Sequence, residues 1–322
     1  MAPEHFVTLD AIRAAAGRVR SIAKVTPLVD VSAAAGRPLL LKMESLQPGG
    51  AFKIRGAYNM VAQLTKAQRS NGVITYSSGN HGQALALAAR ELGAPAVVVM
   101  PTTAPQIKVD GTRSYGAEVI FAGTTSADRR KRAEEEAAAR GLTMVPPFDH
   151  EWIIAGQGTA GLEILEQQPD VAAVLVPIGG GGLAAGVAAA IKQSRPDVKV
   201  IGVEPSGAAA MRASLDAGHS VTLPSTHSVA DGLMPVRPGD LTFAHVRKFA
   251  DDVVTVDDPQ IIDAVVWLFR RANIVAEPSG AATVAAALAG KADHLADGGP
   301  LVAIVSGGNV SPDTLAGWLE RR

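Results

Sequence analysis

The sequence predicts an α/β fold of open, mostly parallel sheets flanked by helices. Short β-branched runs alternate with longer Ala-rich helical stretches, an order that places helices over parallel strands. The predicted strand and helix pairs are residues 72–76 and 81–92, 96–100 and 104–115, 118–122 and 129–140, 174–178 and 183–192, and 198–203 and 208–217. The strand segments are continuous apolar runs, so we expect strands that are buried on both faces.

The length of the chain predicts two lobes. A chain of 322 residues exceeds the roughly 100–200 residues of one typical domain. Pro146 and Pro147 form the clearest interruption of the alternating pattern. We therefore expect residues 72–148 to form a small lobe, and residues 1–71 together with 149–322 to form a large one.

The composition excludes several classes of protein. The chain has no cysteine, so disulfides, thiolate metal sites and thiol nucleophiles are excluded. The net charge is −1 and no dense Lys/Arg run is present, which argues against nucleic-acid binding. Residues 1–6 lack a secretory signal pattern, and no apolar segment reaches the roughly 20 residues of a membrane span. We expect a cytoplasmic protein without nucleic-acid or membrane partners.

One lysine stands where a glycine-rich turn leads into a helix. Apolar residues after the turn recur at helical spacing: Ala57, Met60, Val61 and Leu64. This pattern predicts that Lys53 lies at the start of a helix, partly shielded by Phe52 and Ile54. Burial and the positive end of the helix would both lower the pKa of the Lys53 amine and suit it to Schiff-base chemistry. Taken alone, a solvated surface lysine is the commoner interpretation.

Two polar turns follow apolar strands. In residues 75–83 a strand end, a small polar turn and a helix start succeed one another, and the exposed N–H groups of such a turn suit a carboxylate or phosphate. Ordinary helix capping explains this turn equally well by itself. In residues 302–309, Ser306 would stand at the carboxyl end of a strand, where ligands of open α/β sheets gather. An ordinary strand-to-loop turn is again an equal alternative.

Four consecutive glycines separate another apolar strand from its helix; they are Gly179, Gly180, Gly181 and Gly182. Such a backbone can wrap closely around an anion, with the helix N-terminus pointing at it, so phosphate binding is favoured over a flexible linker. The same loop fits a dinucleotide fingerprint through Gly180, Gly182 and Ala185, with Glu204 placed to bind a ribose hydroxyl. An NAD-dependent dehydrogenase is therefore an alternative, although it leaves the lysine segment and the polar turns unexplained.

Taken together, these segments resemble the fold-type II pyridoxal-phosphate enzymes, and within them the threonine/serine dehydratase and serine racemase family. Residues 51–57 resemble the cofactor-lysine motif, 77–83 the substrate and ring turn, 179–183 the phosphate loop and 306–309 the pyridine-nitrogen turn. Residues 230–233 and 277–280 match two further family segments. The resemblance implies a two-lobed, tryptophan synthase β-like fold, in which the large lobe binds the cofactor and the small lobe closes over the substrate.

The resemblance also implies a role for each site residue. Lys53, next to Phe52, would carry pyridoxal 5′-phosphate and move the substrate's α-proton, with Ser78 as a second catalytic candidate. Asn80 would hold the ring hydroxyl and Ser306 would bond the pyridine nitrogen. The phosphate would bind Gly179, Gly180, Gly181, Gly182 and Leu183. The substrate carboxylate would bind the turn of Ser77, Ser78, Gly79, Asn80 and His81.

The implied reaction is α,β-elimination from a small β-hydroxy-amino acid, which makes the chain a lyase. A neutral Ser306 hydroxyl leaves the pyridine nitrogen largely unprotonated, and this favours loss of the β-hydroxyl over a long-lived carbanion. The products would be a 2-oxo acid and ammonia. Serine, threonine, 3-hydroxyaspartate and phenylserine all stay open as substrates. Ser78 occupies the position of the second acid/base in the racemase branch, so an amino-acid racemase stays open as well.

Three departures from the family pattern carry expectations of their own. Ala51 stands where Ser or Thr is usual, which leaves the substrate preference open. Ala210 replaces an acid of metal-activated relatives, near Glu204 and the Ala208 carbonyl, so we expect no metal site. The resemblance ends shortly before Arg322, and we expect no regulatory domain and no end-product inhibition. By the same resemblance we expect a homodimer.

Overall fold

The computed structural model describes residues 6–77, 79–104 and 106–321 as an α/β fold with a six-stranded and a four-stranded sheet. The strands are β1 Leu28–Asp30, β2 Leu39–Lys42, β3 Val73–Tyr76, β4 Ala96–Met100, β5 Glu118–Phe121, β6 Thr143–Met144, β7 Ala173–Pro177, β8 Lys199–Pro205, β9 Asp252–Val256 and β10 Leu301–Ile304.

Helices connect these strands and cover the sheets. They are α1 Leu9–Val19, α2 Ser32–Ala35, α3 Lys53–Gln63, α4 Lys66–Asn71, α5 Asn80–Glu91, α6 Gln106–Ser114, α7 Ser126–Arg140, α8 Glu151–Gln167, α9 Gly182–Ser194, α10 Ala210–Ala217, α11 Asp240–Phe249, α12 Asp258–Ala272, α13 Pro278–Leu288, α14 Asp293–Ala296 and α15 Pro312–Arg321. Short 3₁₀ helices lie at Glu44–Leu46, Ser206–Ala208 and Asp231–Leu233.

The strand orders separate the chain into two sets of strands. The six-stranded sheet has the order β1-β2-β10-β7-β8-β9, and the four-stranded sheet has the order β5-β4-β3-β6. Within the described residues every neighbouring pair is parallel except β1 with β2. The mostly parallel α/β architecture is therefore confirmed. The strands of the small sheet all come from residues 73–144, while the two-lobe boundaries themselves stay a prediction.

The six-stranded sheet is buried on both faces because its strands alternate between two apolar layers. Leu175 of β7 packs with α12 and α13 on one face, while Val174 and Val176 pack with α9 and α11 on the other. A period of two along a strand points successive side chains to opposite faces. The apolar runs of the central strands therefore have the double burial that the sequence predicts.

One predicted strand departs from this rule. The burial of β5 is only partial, and Phe121 at its end is 46% exposed. This strand is at the edge of the four-stranded sheet and pairs only with β4 in the described chain. The expectation of burial on both faces is wrong here, because an edge strand has one flank open to solvent.

Glycines bring the helices around the predicted cofactor lysine into close contact. A Cβ at Gly156 of α8 would lie 2.6 Å from the Arg55 carbonyl oxygen of α3. Helices α8 and α9 are equally close, since a Cβ at Gly158 of α8 would lie 2.8 Å from the Gly186 carbonyl oxygen of α9. Helix α8 is thus held against α3 on one side and α9 on the other. Among the described residues, no helix has the length and apolar character required to cross a membrane.

Candidate active site

The lysine loop, residues 47–52, leads into α3, which begins at Lys53. Gly49 and Gly50 have φ angles of 80° and 73°, in the left-handed region that glycine adopts without strain. The loop then pairs with the strand-end turn after β10: the Phe52 N–H donates to the Ser306 carbonyl at 3.1 Å. Lys53 therefore lies at the start of a helix, as the sequence predicts.

The Lys53 amine lies deep in the protein, although the residue as a whole is half-buried. Its Nζ donates to the Pro147 carbonyl at 2.8 Å and is 5.1 Å from the centre of the Phe52 ring. Burial lowers the pKa of Lys53 to about 8. An amine with this pKa is available as a nucleophile or base near neutral pH.

The glycine loop has no room for side chains. A Cβ at Gly180 would overlap the Phe148 ring, and one at Gly182 would lie 3.0 Å from the Phe148 Cβ. Gly181 has a φ of 95°, which a residue with a side chain rarely adopts. Helix α9 begins at Gly182, and Leu183 is buried in its first turn. The loop therefore places backbone without side chains at a helix N-terminus, an arrangement that suits an anion.

The same short segment contacts both the lysine and the glycine loop. Pro147 accepts the hydrogen bond from Lys53, and the next residue, Phe148, fills the space against Gly180 and Gly182. Gly179 is closed off from the other side by the Gly232 carbonyl, 2.9 Å from where a Cβ would be. The Lys53 amine and the glycine loop thus contact neighbouring residues of one segment.

The predicted substrate turn connects β3 to α5. The Ser77 N–H donates to Val99 at 3.0 Å, and the Gly79 N–H donates to the Ser77 Oγ at 3.2 Å. Ser78 lies outside the described residues. Helix α5 begins at Asn80, so the first N–H groups of this helix are at the turn.

His81 is a buried neutral residue. One ring nitrogen, Nε2, is 3.1 Å from the Val145 carbonyl, and burial together with nearby Lys53 lowers the pKa of His81 to about 3. The side chain therefore interacts with the small-sheet region of the fold. The other ring nitrogen, Nδ1, is buried and has no hydrogen-bond partner among the described residues.

Asn80 is fixed by two side chains that the sequence argument had not assigned. Its Nδ2 donates to Glu277 Oε1 at 2.6 Å, and its Oδ1 accepts from Asn309 Nδ2 at 2.9 Å. Asn309 also donates to the Gly49 carbonyl at 2.8 Å. Burial, with a smaller contribution from Asp231, raises the pKa of Glu277 to about 7. The lysine loop, the substrate turn and the turn after β10 thus share one hydrogen-bonded group.

Ser306 is buried at the end of β10. Its Oγ donates to the Ser279 carbonyl at 3.3 Å. This distance is long for a bond between two oxygens, so the hydroxyl can turn toward a ligand atom. Residues 277–280 and 306–309 are also in direct contact, since a Cβ at Gly280 would overlap the Gly307 backbone.

Glu204 is bonded to the start of α10 through both carboxylate oxygens. Its two carboxylate oxygens each accept a backbone N–H at 2.8 Å, from Met211 and from Arg212, in the first turn of α10. These bonds within the chain disfavour the dinucleotide interpretation, in which Glu204 binds a ribose hydroxyl. Burial raises the pKa of Glu204 to about 7. In the described part of the chain, no group of three or more His, Asp or Glu side chains could hold a metal ion.

Sequence reasoning missed Pro147, Phe148, Glu277 and Asn309 as parts of this region. Pro147 contributes a main-chain oxygen, which cannot be predicted from a pattern of side chains. The sequence predicts Phe148 only as the lobe boundary, whereas in the structure its side chain fills the space beside Gly180 and Gly182. For Glu277 and Asn309 a signal existed, because both stand inside the segments that resemble the family.

Comparisons with known proteins agree with this geometry. The model of the family described as pyridoxal-phosphate dependent enzyme matches residues 19–307. The biosynthetic L-threonine dehydratase of Escherichia coli is 45% identical over 91% of this chain, and this chain spans 58% of that enzyme's length. A serine racemase of Oryza sativa is 40% identical, with 98% of this chain and 94% of the relative covered.

A solved structure agrees as well. Maize serine racemase superposes with a TM-score of 0.93 at 39% identity, and 98% of each chain is covered. The chain spans about three fifths of the length of the first curated relatives, 58 to 61%. The family match covers most of the chain, and the arrangement of Lys53 beside a glycine loop is consistent with it. The chain therefore belongs to the family of pyridoxal-phosphate dependent enzymes.

Proposed function

We propose that this chain is a lyase that converts a small β-hydroxy-amino acid of the serine or threonine type to a 2-oxo acid and ammonia. The observation that carries the proposal is the buried Lys53 amine, 2.8 Å from Pro147 and next to the segment that contacts the glycine loop. The relatives named threonine dehydratase and threonine ammonia-lyase support this reaction.

The residues around Lys53 fit pyridoxal phosphate. A phosphate would bind backbone N–H groups of the glycine loop, and the N-terminus of α9 favours negative charge. Phe148 fills the space where the Cβ atoms of Gly180 and Gly182 would lie. The lowered pKa of Lys53 suits an amine that must react with an aldehyde. The Phe52 ring lies 5.1 Å from the Lys53 Nζ, and the Phe52 N–H donates to the Ser306 carbonyl.

When bound, pyridoxal phosphate supplies an aldehyde for the substrate's amine and a ring that makes the α-proton acidic. Lys53 Nζ takes this proton and delivers it to the β-hydroxyl, which leaves as water. Asn80 keeps a second Nδ2 hydrogen for the ring hydroxyl, beyond the one donated to Glu277. Ser306 would donate to or accept from the ring nitrogen, and N–H groups of residues 77–81 would bind the substrate carboxylate. Water then hydrolyses the released enamine to the 2-oxo acid and ammonia.

A racemase working at the same site is the second candidate. The likeness to serine racemases of rice and maize, each covering nearly the whole chain, favours it. Ser78 is the residue for reprotonation on the opposite face. Incubation in deuterated water separates the two activities, because only racemisation puts deuterium into recovered substrate of inverted configuration. Ser78→Ala then abolishes inversion more than elimination.

The decisive experiment is an oxo-acid assay with both enantiomers of serine, threonine, 3-hydroxyaspartate and phenylserine. We expect the purified protein to be yellow and borohydride to fix the cofactor on Lys53, which peptide mass spectrometry measures. Lys53→Ala is expected to lower the rate at least a thousandfold while the fold is retained. A colourless protein after growth with ample pyridoxine, or a label on another lysine, contradicts the proposal.

The chain acts as a cytoplasmic homodimer whose residues 72–148 close over the substrate. The separate strand set of residues 73–144 supports the division into lobes, and the family resemblance supports the dimer. Light scattering tests the oligomeric state. Small-angle scattering with and without a substrate analogue tests closure, since an unchanged radius of gyration contradicts it.

A further inference from the structure

Helix α3 carries two functional faces. Lys53 and Arg55 are two residues apart, so the roughly 100° turn per residue points their side chains to nearly opposite sides of the helix. The Lys53 amine is at Pro147, on the glycine-loop side. The Arg55 side chain is completely buried on the other side.

Arg55 is bonded to two carboxylates at once. Its Nε and Nη2 donate to Glu44 at 2.7 Å each, and its Nη1 and Nη2 donate to Glu163 at 2.6 and 2.8 Å. Nη1 also donates to Thr159 at 3.0 Å. Burial opposes these charges, but Glu44 raises the pKa of Arg55, and Arg55 holds the pKa of Glu44 below its usual value. Both groups are therefore charged.

Lys42 completes the group and balances its charge. Lys42 Nζ, which is also fully buried, donates to Glu163 at 2.6 Å and to Gln167 at 2.9 Å. Two cations thus face two anions. We call Lys42, Glu44, Arg55 and Glu163 the ion cluster. It joins β2, the 3₁₀ helix at Glu44–Leu46, α3 and α8.

The ion cluster clamps the two ends of the lysine loop. Glu44 precedes the loop and Arg55 follows it, so their paired bonds close the chain between them. Inside the loop, Gln47 Nε2 donates to the Lys24 carbonyl at 2.7 Å, and Gly50 donates to Gln47 at 2.8 Å. On the opposite side, the loop is bonded to the turn after β10. Helix α3 has no side-chain cap at Phe52, so its start is fixed by these contacts instead.

Stability alone is a weak reason for such a cluster. A buried ion pair loses hydration that its attraction barely recovers, and apolar side chains of similar volume often give an equally stable fold. The charges instead fix the orientation of the side chains, because a planar guanidinium that binds two carboxylates through paired hydrogen bonds has one favourable geometry.

We propose that the ion cluster is a positioning device that fixes the Lys53 amine opposite the glycine loop, with Glu44 and Arg55 as its positioning residues. The proposal rests on the proposed role of Lys53 as the cofactor lysine. Its experiment therefore begins with borohydride labelling of wild-type protein. Absence of label on Lys53 defeats the proposed function, whereas a labelled wild type with unaffected variants defeats only the positioning role.

The test compares Glu44→Gln with the double variant Glu44→Met/Arg55→Met. The first keeps size but removes one charge beside Arg55. The second removes one anion and one cation, and leaves Lys42 paired with Glu163. The matched control is Glu204→Gln, which also alters a buried carboxylate bonded through both oxygens but lies in the first turn of α10.

Three quantities are measured for each variant: the melting temperature, the affinity of the cofactor-free protein for pyridoxal phosphate, and the pH profile of Lys53 acetylation in cofactor-free protein. We expect both cluster variants to bind the cofactor at least tenfold more weakly and to shift the acetylation midpoint upward by about one pH unit, as the amine gains access to water. The control loses melting temperature but keeps the other two values.

Each other outcome overturns the proposal. Cluster variants that fold with unchanged cofactor affinity and an unchanged acetylation profile show that Lys53 is positioned without the cluster. Failure of both cluster variants to fold shows that the charges are required for the fold itself. A control that shifts the acetylation midpoint as far as the cluster variants shows a general loss of stability.

Discussion

Two arginine ion pairs of this protein, one next to β2 of the six-stranded sheet and one over the four-stranded sheet, differ in their burial. Beside the six-stranded sheet, Arg55 is paired with two carboxylates in the interior. On α7, which covers the four-stranded sheet, Arg130 pairs with Glu134 while their side chains are 64% and 56% exposed. The buried pairing restricts the orientation of the Arg55 side chain. The exposed pairing on α7 contributes little to stability because water competes for both charges. Buried charge thus lies on α3, the helix that begins at Lys53.

The largest expected effect comes from breaking the ion cluster at its centre. Arg55→Met removes one cation and leaves Glu44 and Glu163 facing only Lys42, so an uncompensated anion stays buried. We expect a loss of about 3–5 kcal/mol in the free energy of unfolding, measured by urea denaturation. Arg130→Met is the matched control on the other sheet, expected to change stability by less than about 0.5 kcal/mol. Equal losses of unfolding free energy in Arg55→Met and Arg130→Met would contradict the difference between the buried and the exposed pair.

A smaller effect is expected from adding one methyl group to the glycine loop. In Gly180→Ala the new Cβ overlaps the Phe148 ring, so the ring or the loop must shift. We expect a cost of about 1–3 kcal/mol and weaker cofactor binding, measured by thermal melting and absorbance titration. Gly17→Ala in α1, where no atom lies within 4 Å of a new Cβ, is the control and is expected to be neutral or stabilising. A harmless Gly180→Ala contradicts the tight packing described here.

Glu277, which accepts a hydrogen bond from Asn80 at the start of α5, should make the stability of the protein depend on pH. The folded pKa of about 7 lies above the ordinary value of 4.5, so the folded state holds this proton more tightly than the unfolded state. The resulting stabilisation is complete below about pH 4.5 and is lost as the pH rises through 7. Glu277→Gln removes this dependence, so its melting temperature relative to wild type should rise between pH 5 and 8, by on the order of 2 kcal/mol in free energy. A difference that is constant with pH contradicts the raised pKa.

The smallest effect is expected for the ion pair between Lys108 of α6 and Asp231. The Asp231 side chain is 51% exposed, so water competes for the pair. Lys108→Met should cost less than about 1 kcal/mol at low salt, and the cost should vanish in 1 M salt, where charges are screened over roughly 3 Å. Denaturation at the two salt concentrations measures this. A loss that persists in high salt contradicts a solvent-screened pair.

Local patterns predicted the regular elements well. Strand β4 was predicted at residues 96–100 and is Ala96–Met100, because a β-branched run bounded by Pro leaves little freedom. Helix α7 was predicted to begin at 129 but begins at Ser126, where Thr125 and Asp128 form a capping box that the prediction overlooked. Helix α6 is shorter than the predicted 104–115, spanning Gln106–Ser114.

The site was predictable in its parts but not in its connections. The glycine turns alone leave ordinary structural interpretations open for Lys53 and Ser306, and the family resemblance of the ordered segments is what selects them. The structure brings the lysine loop and the Ser306 turn together. The pairing of Arg55 with Glu163 joins residues 108 positions apart, and no spacing rule selects that glutamate among the acids of the chain. The exposure of β5 depends on sheet order, which local sequence does not encode. Tertiary neighbours, rather than local propensity, decide such features.

The buried charges beside Lys53 also bear on heat tolerance. Hydration of ions becomes less favourable as temperature rises, so the penalty for keeping these four groups dry shrinks on warming. The apolar contacts of the surrounding helices gain no comparable advantage. Warming should therefore loosen peripheral helices before it disturbs the alignment of the amine, and residual cofactor attachment should outlast the first loss of helical signal.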